Sequence, residues 1–246
     1  MICRAFLDTN VLFGGLSANI LLTFAEKPYE LYRPYWSDYV LGELRRTLVP
    51  SMERHYPADE VDERIERRIG FMTSAFPHAL VTGWRRKLRV ASGLVEDSDD
   101  APILAGALRS HANYLITDNL KDFRTDDIED AFGVTVLRPD DFADILYQVD
   151  RDTFRSAMIA MTKDNHRPPR NLQELTETLN EQERWKGLAK TIRLDATRRA
   201  SKSLAPPIYG TQPRDALGRY SFKSGWDGDL DEADYGIWGH DGNGYV

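Results

Sequence analysis

The chain contains very little cysteine: Cys3 is its only thiol among 246 residues. One thiol cannot form an internal disulfide, a multi-thiolate zinc site or a CxxC redox motif. The sequence also lacks any run of about 18 uninterrupted apolar residues, and the N-terminus has no long apolar stretch typical of a signal peptide. We therefore expect a cytoplasmic protein with no membrane partner.

A basic excess is also missing, because 32 Lys and Arg residues face 39 Asp and Glu residues, giving a formal charge of −7. Nucleic-acid-binding proteins usually present a basic face to the phosphates. The charges are unevenly distributed, however. Residues 184–202 hold seven bases and one acid, whereas residues 204–246 hold seven acids and three bases. A basic surface is therefore compatible with this acidic chain.

Short apolar segments alternate with segments of helical periodicity over the first 147 residues. Val61, Ile65, Ile69, Met72 and Phe76, for example, recur every three to four residues and predict a helix from about residue 58. Alternation of this kind indicates βαβ crossovers and a parallel sheet covered on both faces. We predict an α/β fold with about five strands, near residues 6–7, 32–36, 79–81, 114–116 and 134–137.

Beyond Pro139 the pattern is helical to about Ala196, and then it becomes rich in Gly, Asp and aromatic residues. We predict three parts. Residues 1–147 form the α/β domain, residues 148–203 form a helical extension, and residues 204–246 form an acidic aromatic tail that is extended or packed on the surface.

Acidic residues follow or flank several predicted elements. Asp8 and the polar cluster 117–122 come directly after apolar strands, Glu43 lies beside the apolar face of a helix that Ser37 caps, and Asp100 lies in a first helical turn. Ligands of parallel α/β sheets bind beyond the carboxyl ends of the strands. Carboxylates without Cys or His partners suit Mg²⁺ or Mn²⁺ rather than zinc. The pattern predicts a metal site for phosphate chemistry, although a single acid in so charged a chain is usually solvated.

Four motifs in order resemble those of the PIN-domain nucleases, and most closely the VapC-type ribonuclease toxins. They are Phe6-Leu7-Asp8-Thr9-Asn10-Val11-Leu12, Glu43 on its helix, the segment Asp100 to Leu108, and the segment Tyr114 to Phe123. The resemblance covers residues 1–147 and implies a PIN-like α/β/α sandwich. The helical extension is similar to one found in a subset of these toxins.

The resemblance also implies roles for individual residues. The catalytic set is Asp8, Glu43, Asp100, Asn119 and Asp122. The metal-binding set is Asp8, Glu43, Asp100 and Asp118, and the supporting residues that orient them are Thr9, Asn10 and Thr117. The spacing from Asp100 to Thr117 is one residue longer than the commonest form, which leaves open whether Asp118, Asn119 or Asp122 faces the metal.

Basic residues near the motifs are candidates for binding RNA. The densest run predicts an RNA clamp with its tryptophan available for base stacking, and a solvated basic loop is the alternative. Two arginines that follow Glu43 could reach the rim of the cleft. The predicted RNA-binding residues are Trp84, Arg85, Arg86, Lys87, Arg89, Arg45 and Arg46.

The resulting expectation is a Mg²⁺- or Mn²⁺-dependent endoribonuclease toxin that cleaves structured RNA such as tRNA or rRNA. The resemblance implies products with a 5′-phosphate and a 3′-hydroxyl, a cognate antitoxin protein and a homodimer. Two alternatives remain: a PIN nuclease of RNA maturation or decay that has no antitoxin, and an RNA-binding module that has lost catalysis. A further hypothesis is that the acidic tail folds over the domain as a partner segment would.

Overall fold

The computed structural model describes residues 2–163 and 169–202. The strands are β1 (Cys3–Leu7), β2 (Tyr32–Ser37), β3 (Leu80–Val81), β4 (Tyr114–Ile116) and β5 (Thr135–Leu137). The helices are α1 (Thr9–Phe13), α2 (Gly15–Ala25), α3 (Asp38–Met52), α4 (Ala58–Ala75), α5 (Leu88–Ala91), α6 (Ala101–Ser110), α7 (Thr125–Phe132), α8 (Pro139–Val149), α9 (Arg151–Lys163), α10 (Leu172–Glu181) and α11 (Lys186–Lys202). Short 3₁₀ helices span Trp84–Lys87, Ser98–Asp100, Leu120–Asp122 and Glu183–Trp185. The predicted tail, residues 204–246, lies outside the described residues.

The five strands form one all-parallel sheet in the order β3-β2-β1-β4-β5, with helices flanking it. The predicted α/β/α sandwich with a helical C-terminal region is thereby confirmed. From β1 the chain passes to β2 on one side, and the later strand β4 pairs with β1 on the other side. The crevice between β1 and β4 is therefore the switch point, where ligands of such sheets bind.

Local sequence accounts for the elements that position this crevice. The side chain of Ser37 accepts a hydrogen bond from the Val40 N–H at 3.3 Å, so it caps α3 as predicted. Phe6 and Leu7 are fully buried, as expected for a central strand covered on both faces. The apolar stripe of α4 is buried too, which confirms the predicted helix.

Gly106 allows α6 to pack closely against β1. A Cβ atom at this position would overlap the ring of Phe6, which has no exposed surface and little room to move. The residue therefore has a packing role rather than a conformational one. Because α6 begins beside Asp100, its distance from β1 also sets the position of that carboxylate.

The helical extension shares the core of the α/β part. The predicted boundary at residue 147 falls within α8, and the ring of Phe154 on α9 lies 4.3 Å from that of Phe24 on α2 and 5.3 Å from that of Tyr147. Trp185 belongs to the same buried cluster. Within residues 2–163 and 169–202, no helix has both the length and the apolar character needed to cross a bilayer.

The close contact of Gly106 leads to a stability prediction. We expect Gly106→Ala to lower the free energy of unfolding by about 1–3 kcal/mol, because overpacking forces side chains and backbone to shift. Gly70→Ala on α4 is the matched control, since a Cβ there meets nothing within 4 Å. Alanine is the better helix former, so the control should be neutral or stabilising by up to about 1 kcal/mol. Urea unfolding of both variants checks the prediction, and equal effects would contradict it.

Candidate functional site

Asp8 lies at the end of β1, where its carboxylate is held by three donors. Its Oδ1 accepts from the Thr9 N–H at 2.5 Å, and its Oδ2 accepts from Thr117 Oγ1 at 2.7 Å and Asn10 Nδ2 at 2.8 Å. The residue is only 5% exposed. A buried carboxylate without partners would be costly, so these bonds are what allow Asp8 to remain at the crevice.

Asn10 and Thr117 join the two strand ends that border the crevice. Thr117 is fully buried, and its hydroxyl oxygen accepts from the Asn119 N–H at 3.0 Å. The Asn10 side chain donates to Thr117 Oγ1 at 3.2 Å and accepts from the Asp118 N–H at 3.2 Å. The contacts are those of groups that orient a carboxylate. Thr9 contributes its backbone, and its buried Oγ1 has no hydrogen-bond partner among the described residues.

A second group of polar side chains lies beside Asp8. The Asn119 amide donates to Asp100 Oδ2 at 3.4 Å and also to Asp122 Oδ2. Asp100 ends the 3₁₀ turn before α6, and Asp122 ends the 3₁₀ turn after β4. The amide nitrogen of Asn119 therefore lies between the two carboxylates. A cation bound at the same place would reduce the repulsion between them.

The pKa of Asp8 is raised to about 6, because burial, together with the negative charge of Asp118, outweighs the lowering effect of its hydrogen bonds with Thr117, Thr9 and Asn10. The carboxyl is therefore easier to protonate than an ordinary aspartate, although three donors favour its charged form.

The pKa of Asp100 is raised to about 7, first by burial and then by neighbouring carboxylates. These neighbours are, in order of effect, Asp8, Asp122, Asp97 and Asp99. The effect of Asp8 on Asp100 indicates that the two carboxyls lie within electrostatic reach of each other. Perturbed carboxyls at a cleft are a recognised mark of functional sites, although structural clusters also produce them.

The donor set matches the chemistry of a hard cation. Its groups are carboxylate, amide and hydroxyl oxygens, which suit Mg²⁺ or Mn²⁺. Within the part of the chain that the structure describes, no three His, Cys, Asp or Glu side chains converge closely enough to hold a metal by themselves. Mg²⁺ usually keeps several waters and uses one or two carboxylates together with substrate phosphates. A pair of carboxylates such as Asp8 and Asp100 is compatible with this chemistry.

Glu43 lies on α3, and its catalytic and metal-binding role stays a prediction. It forms an ion pair with Arg46 on the same helix, and no described contact joins it to Asp8 or Asp100. Residues three and four apart share a helix face, so Tyr39, Glu43 and Arg46 lie on one side of α3. That face borders the turn that carries Asp100, because the Tyr39 hydroxyl reaches the Asp99 carbonyl oxygen.

Tyr39 is a site residue that sequence reasoning missed. Its hydroxyl lies 3.4 Å from the Asp99 carbonyl oxygen. Burial and the charge of Asp99 raise its pKa, Asp100 and Asp8 add to the rise, and Arg46 opposes it. Tyr39 therefore lies near these carboxylates, and Arg46 lies near Tyr39. The available signal was the spacing from Tyr39 to Glu43, which places both on one helix face.

The two arginines predicted at the rim differ in position. Arg46 lies on the crevice side of α3, whereas Arg45 forms an ion pair with Glu66 of α4. Arg45 thus bridges two helices, whereas Arg46 pairs with Glu43 on the face of α3 that also carries Tyr39.

Asp118 has a different side-chain partner from Asn119 and Asp122. Its Oδ1 lies 2.5 Å from Nη1 of Arg184, which belongs to the 3₁₀ helix between α10 and α11. Among the three residues left open by the sequence, Asn119 and Asp122 contact each other and Asn119 contacts Asp100, while Asp118 contacts the extension. Sequence reasoning placed Arg184 only in a general basic stretch and missed this contact.

The predicted base-stacking role of Trp84 is wrong. The side chain is 3% exposed, its Nε1 donates to Asp38 Oδ1 at 2.5 Å, and its ring packs edge-on against Tyr39 at 5.8 Å. Trp84 is instead an anchor, because it joins the basic run to the start of α3. Arg85 covers its ring at 4.4 Å and lies 3.5 Å from Asp38.

The rest of the basic run forms a 3₁₀ helix and α5 rather than an open loop. Arg85, Arg86 and Arg89 are exposed, and Lys87 is half-buried. These four side chains remain candidates for contact with RNA, on a scaffold that packs against α6.

Comparisons of the chain with family models, with curated proteins and with solved structures gave no match. The functional interpretation therefore depends on the site itself and on the resemblance of its motifs.

Proposed function

We propose that the protein is a metal-dependent endoribonuclease that hydrolyses phosphodiester bonds. The observation that carries the proposal is the chain of hydrogen bonds that links Asp8, through Thr117 and Asn119, to Asp100 and Asp122 at the crevice between β1 and β4. Oxygen ligands at a switch point are the chemistry expected for Mg²⁺ or Mn²⁺ bound with a phosphate substrate. The similarity of the same motifs to PIN-domain nucleases supports RNA as the substrate.

Asp8 and Asp100 are the residues that would hold the metal ion. When bound, such an ion supplies Lewis acidity toward the phosphoryl oxygens and lowers the pKa of a coordinated water. Thr117 and Asn10 keep Oδ2 of Asp8 in one orientation, and Asn119 does the same for Asp100 and Asp122. Residues that orient metal ligands typically change metal affinity by about 10–100-fold when they are lost.

The resemblance extends the proposal to a toxin of the VapC type. On that basis the substrate is a structured RNA such as tRNA or rRNA, the products carry a 5′-phosphate and a 3′-hydroxyl, and a cognate antitoxin neutralises a homodimeric enzyme. A PIN nuclease of RNA maturation or decay without an antitoxin is the alternative with the same chemistry. An adjacent gene for a small antitoxin would distinguish the two.

A non-catalytic RNA-binding module is the second candidate. The observation that favours it is that no three acids converge within the described residues. Calorimetry with Mn²⁺ discriminates between the candidates, because a module that has lost catalysis need not bind the ion at Asp8.

The proposal predicts the effect of removing the charge of Asp8. We expect Asp8→Asn to slow cleavage of bulk tRNA by at least about a hundredfold. Loss of a metal ligand should reduce activity at least as much as loss of a residue that orients the ligand. Asp62→Asn, an exposed acid on α4, is the matched control and should cleave at the wild-type rate. EDTA should abolish wild-type cleavage. Cleavage that persists in EDTA, or equally in both variants, would sink the proposal.

The raised pKa values of Asp8, about 6, and Asp100, about 7, predict a pH dependence. Metal ligands must be deprotonated, so Mn²⁺ affinity should rise with pH from about 5 to about 8 and then level off, with protons released on binding. The metal-free fold should show the opposite trend. Because the folded state binds more protons in this range, its stability should fall as pH rises.

Calorimetry in buffers with different ionisation enthalpies measures the released protons directly. Asp100→Asn should release fewer protons than the wild type near pH 7, if it still binds Mn²⁺ measurably. Mn²⁺ affinity that does not change with pH would contradict the assignment of these two carboxyls.

A further inference from the structure

We propose that Arg184, presented by the helical extension, is a phosphate-binding residue of the RNA site. This inference rests on the proposed nuclease function and names a substrate contact for it. The observation is that Nη1 of Arg184 reaches Asp118 Oδ1 at 2.5 Å, on the loop that leaves β4. The guanidinium thus lies at the rim of the crevice, although 66 residues separate it from Asp118 in sequence.

The position of Arg184 is determined by a buried neighbour. Trp185 is 1% exposed and belongs to the main core, so its burial fixes the position of the adjacent backbone. The 3₁₀ helix Glu183–Trp185 also contacts α10 and α11. Arg184 is therefore presented from a rigid element, which reduces the conformational entropy that binding would cost.

A second electrostatic contact places Arg184 along the same edge of the sheet. Its charge lowers the pKa of Asp140, opposing the rise that burial causes there. Asp140 lies in the first turn of α8, just after β5. Arg184 thus borders the carboxyl ends of β4 and β5.

The acidic crevice makes such a group necessary. Asp8, Asp100 and Asp122 would repel an approaching phosphate, so binding requires positive charge close by. A guanidinium binds phosphate oxygens through two parallel N–H bonds, which an ammonium cannot do. Arg184 is charged, presented from a fixed backbone and adjacent to the loop that carries Asn119.

The pair with Asp118 is open enough for a phosphate to displace. The side chain of Arg184 is 35% exposed and that of Asp118 is 27% exposed. Ion pairs with this much solvent contact contribute little to stability. Asp118 therefore acts as a temporary partner that holds the arginine near the rim until a phosphate takes its place.

A phosphate-binding role and a purely structural role of Arg184 predict different effects on RNA affinity when Asp118 is removed. If Arg184 binds phosphate, removing Asp118 frees the arginine and removes a competing negative charge, so RNA should bind more tightly. If Arg184 only holds the loop through Asp118, loss of either partner breaks the same contact and should have the same effect.

The test measures binding of labelled bulk tRNA to the full-length protein by fluorescence anisotropy, in EDTA so that no cleavage occurs. We expect Arg184→Gln to weaken binding about tenfold, as for a lost hydrogen-bonded charge contact. The slope of log affinity against log salt should fall by about 0.7 to 0.9. Arg184→Lys should be intermediate, and Asp118→Asn should bind equally well or more tightly.

Arg193→Gln is the matched control, because Arg193 is an exposed arginine of α11. It should change binding less than Arg184→Gln does. Mn²⁺ calorimetry on the same variants should give wild-type affinity for Arg184→Gln.

Equal effects of the Arg184 and Arg193 variants would overturn the inference, as would weakened binding of RNA by both Arg184→Gln and Asp118→Asn. Loss of Mn²⁺ affinity in Arg184→Gln would also overturn it, since this result shows that the arginine positions the metal-binding loop. A wild-type protein that neither binds tRNA in EDTA nor cleaves it with Mn²⁺ would instead overturn the nuclease function itself.

Discussion

The buried carboxylate of Asp8 is the constraint on which the rest of the site depends. It lies at the end of the central strand, where both faces of the sheet are covered and water has little access. Burying a charge there is tolerable only if hydrogen bonds compensate for it. Thr9, Asn10 and Thr117 supply those bonds. Because Thr117 follows β4, one of these three bonds forms only when β1 and β4 are adjacent. The hydrogen bonding of Asp8 therefore depends on the order of the strands in the sheet.

The hydrogen bonds compensate only partly for the burial of the Asp8 carboxylate, and this has a functional consequence. Hydrogen bonds lower the pKa of Asp8, yet burial outweighs them and the value rises to about 6. The pKa of Asp100 is higher still, about 7, because the negative charges of its acidic neighbours add to the effect of burial. Carboxyls in this state are kept partly protonated near neutral pH in the absence of a cation, and they become fully charged when one binds. These electrostatic properties support the proposed cation independently of any resemblance.

Sequence patterns predicted the framework well and the side-chain contacts poorly. The strands, the Ser37 cap and the stripe of α4 follow from local periodicity, which acts within one element. The prediction that Trp84 stacks on bases was wrong. A tryptophan beside three basic residues looks exposed in the sequence, but its indole donates to Asp38, which is distant in sequence. The ion pair of Asp118 with Arg184 and the approach of Tyr39 to Asp99 are likewise tertiary. No spacing rule within an element can predict such contacts, because they depend on how elements pack.

The extension illustrates the same dependence on packing. Its helices contribute Phe154, Met158 and Leu179 to the buried cluster that also contains the central strand. Removing it would expose this apolar surface, so the loss of function in a truncated chain would say little about Arg184. The arginine reaches the crevice because its neighbour Trp185 is buried in that cluster, and the same burial that stabilises the extension brings a positive charge to an acidic edge. A substitution that alters the guanidinium and leaves Trp185 in place therefore separates the two roles, which no deletion can do.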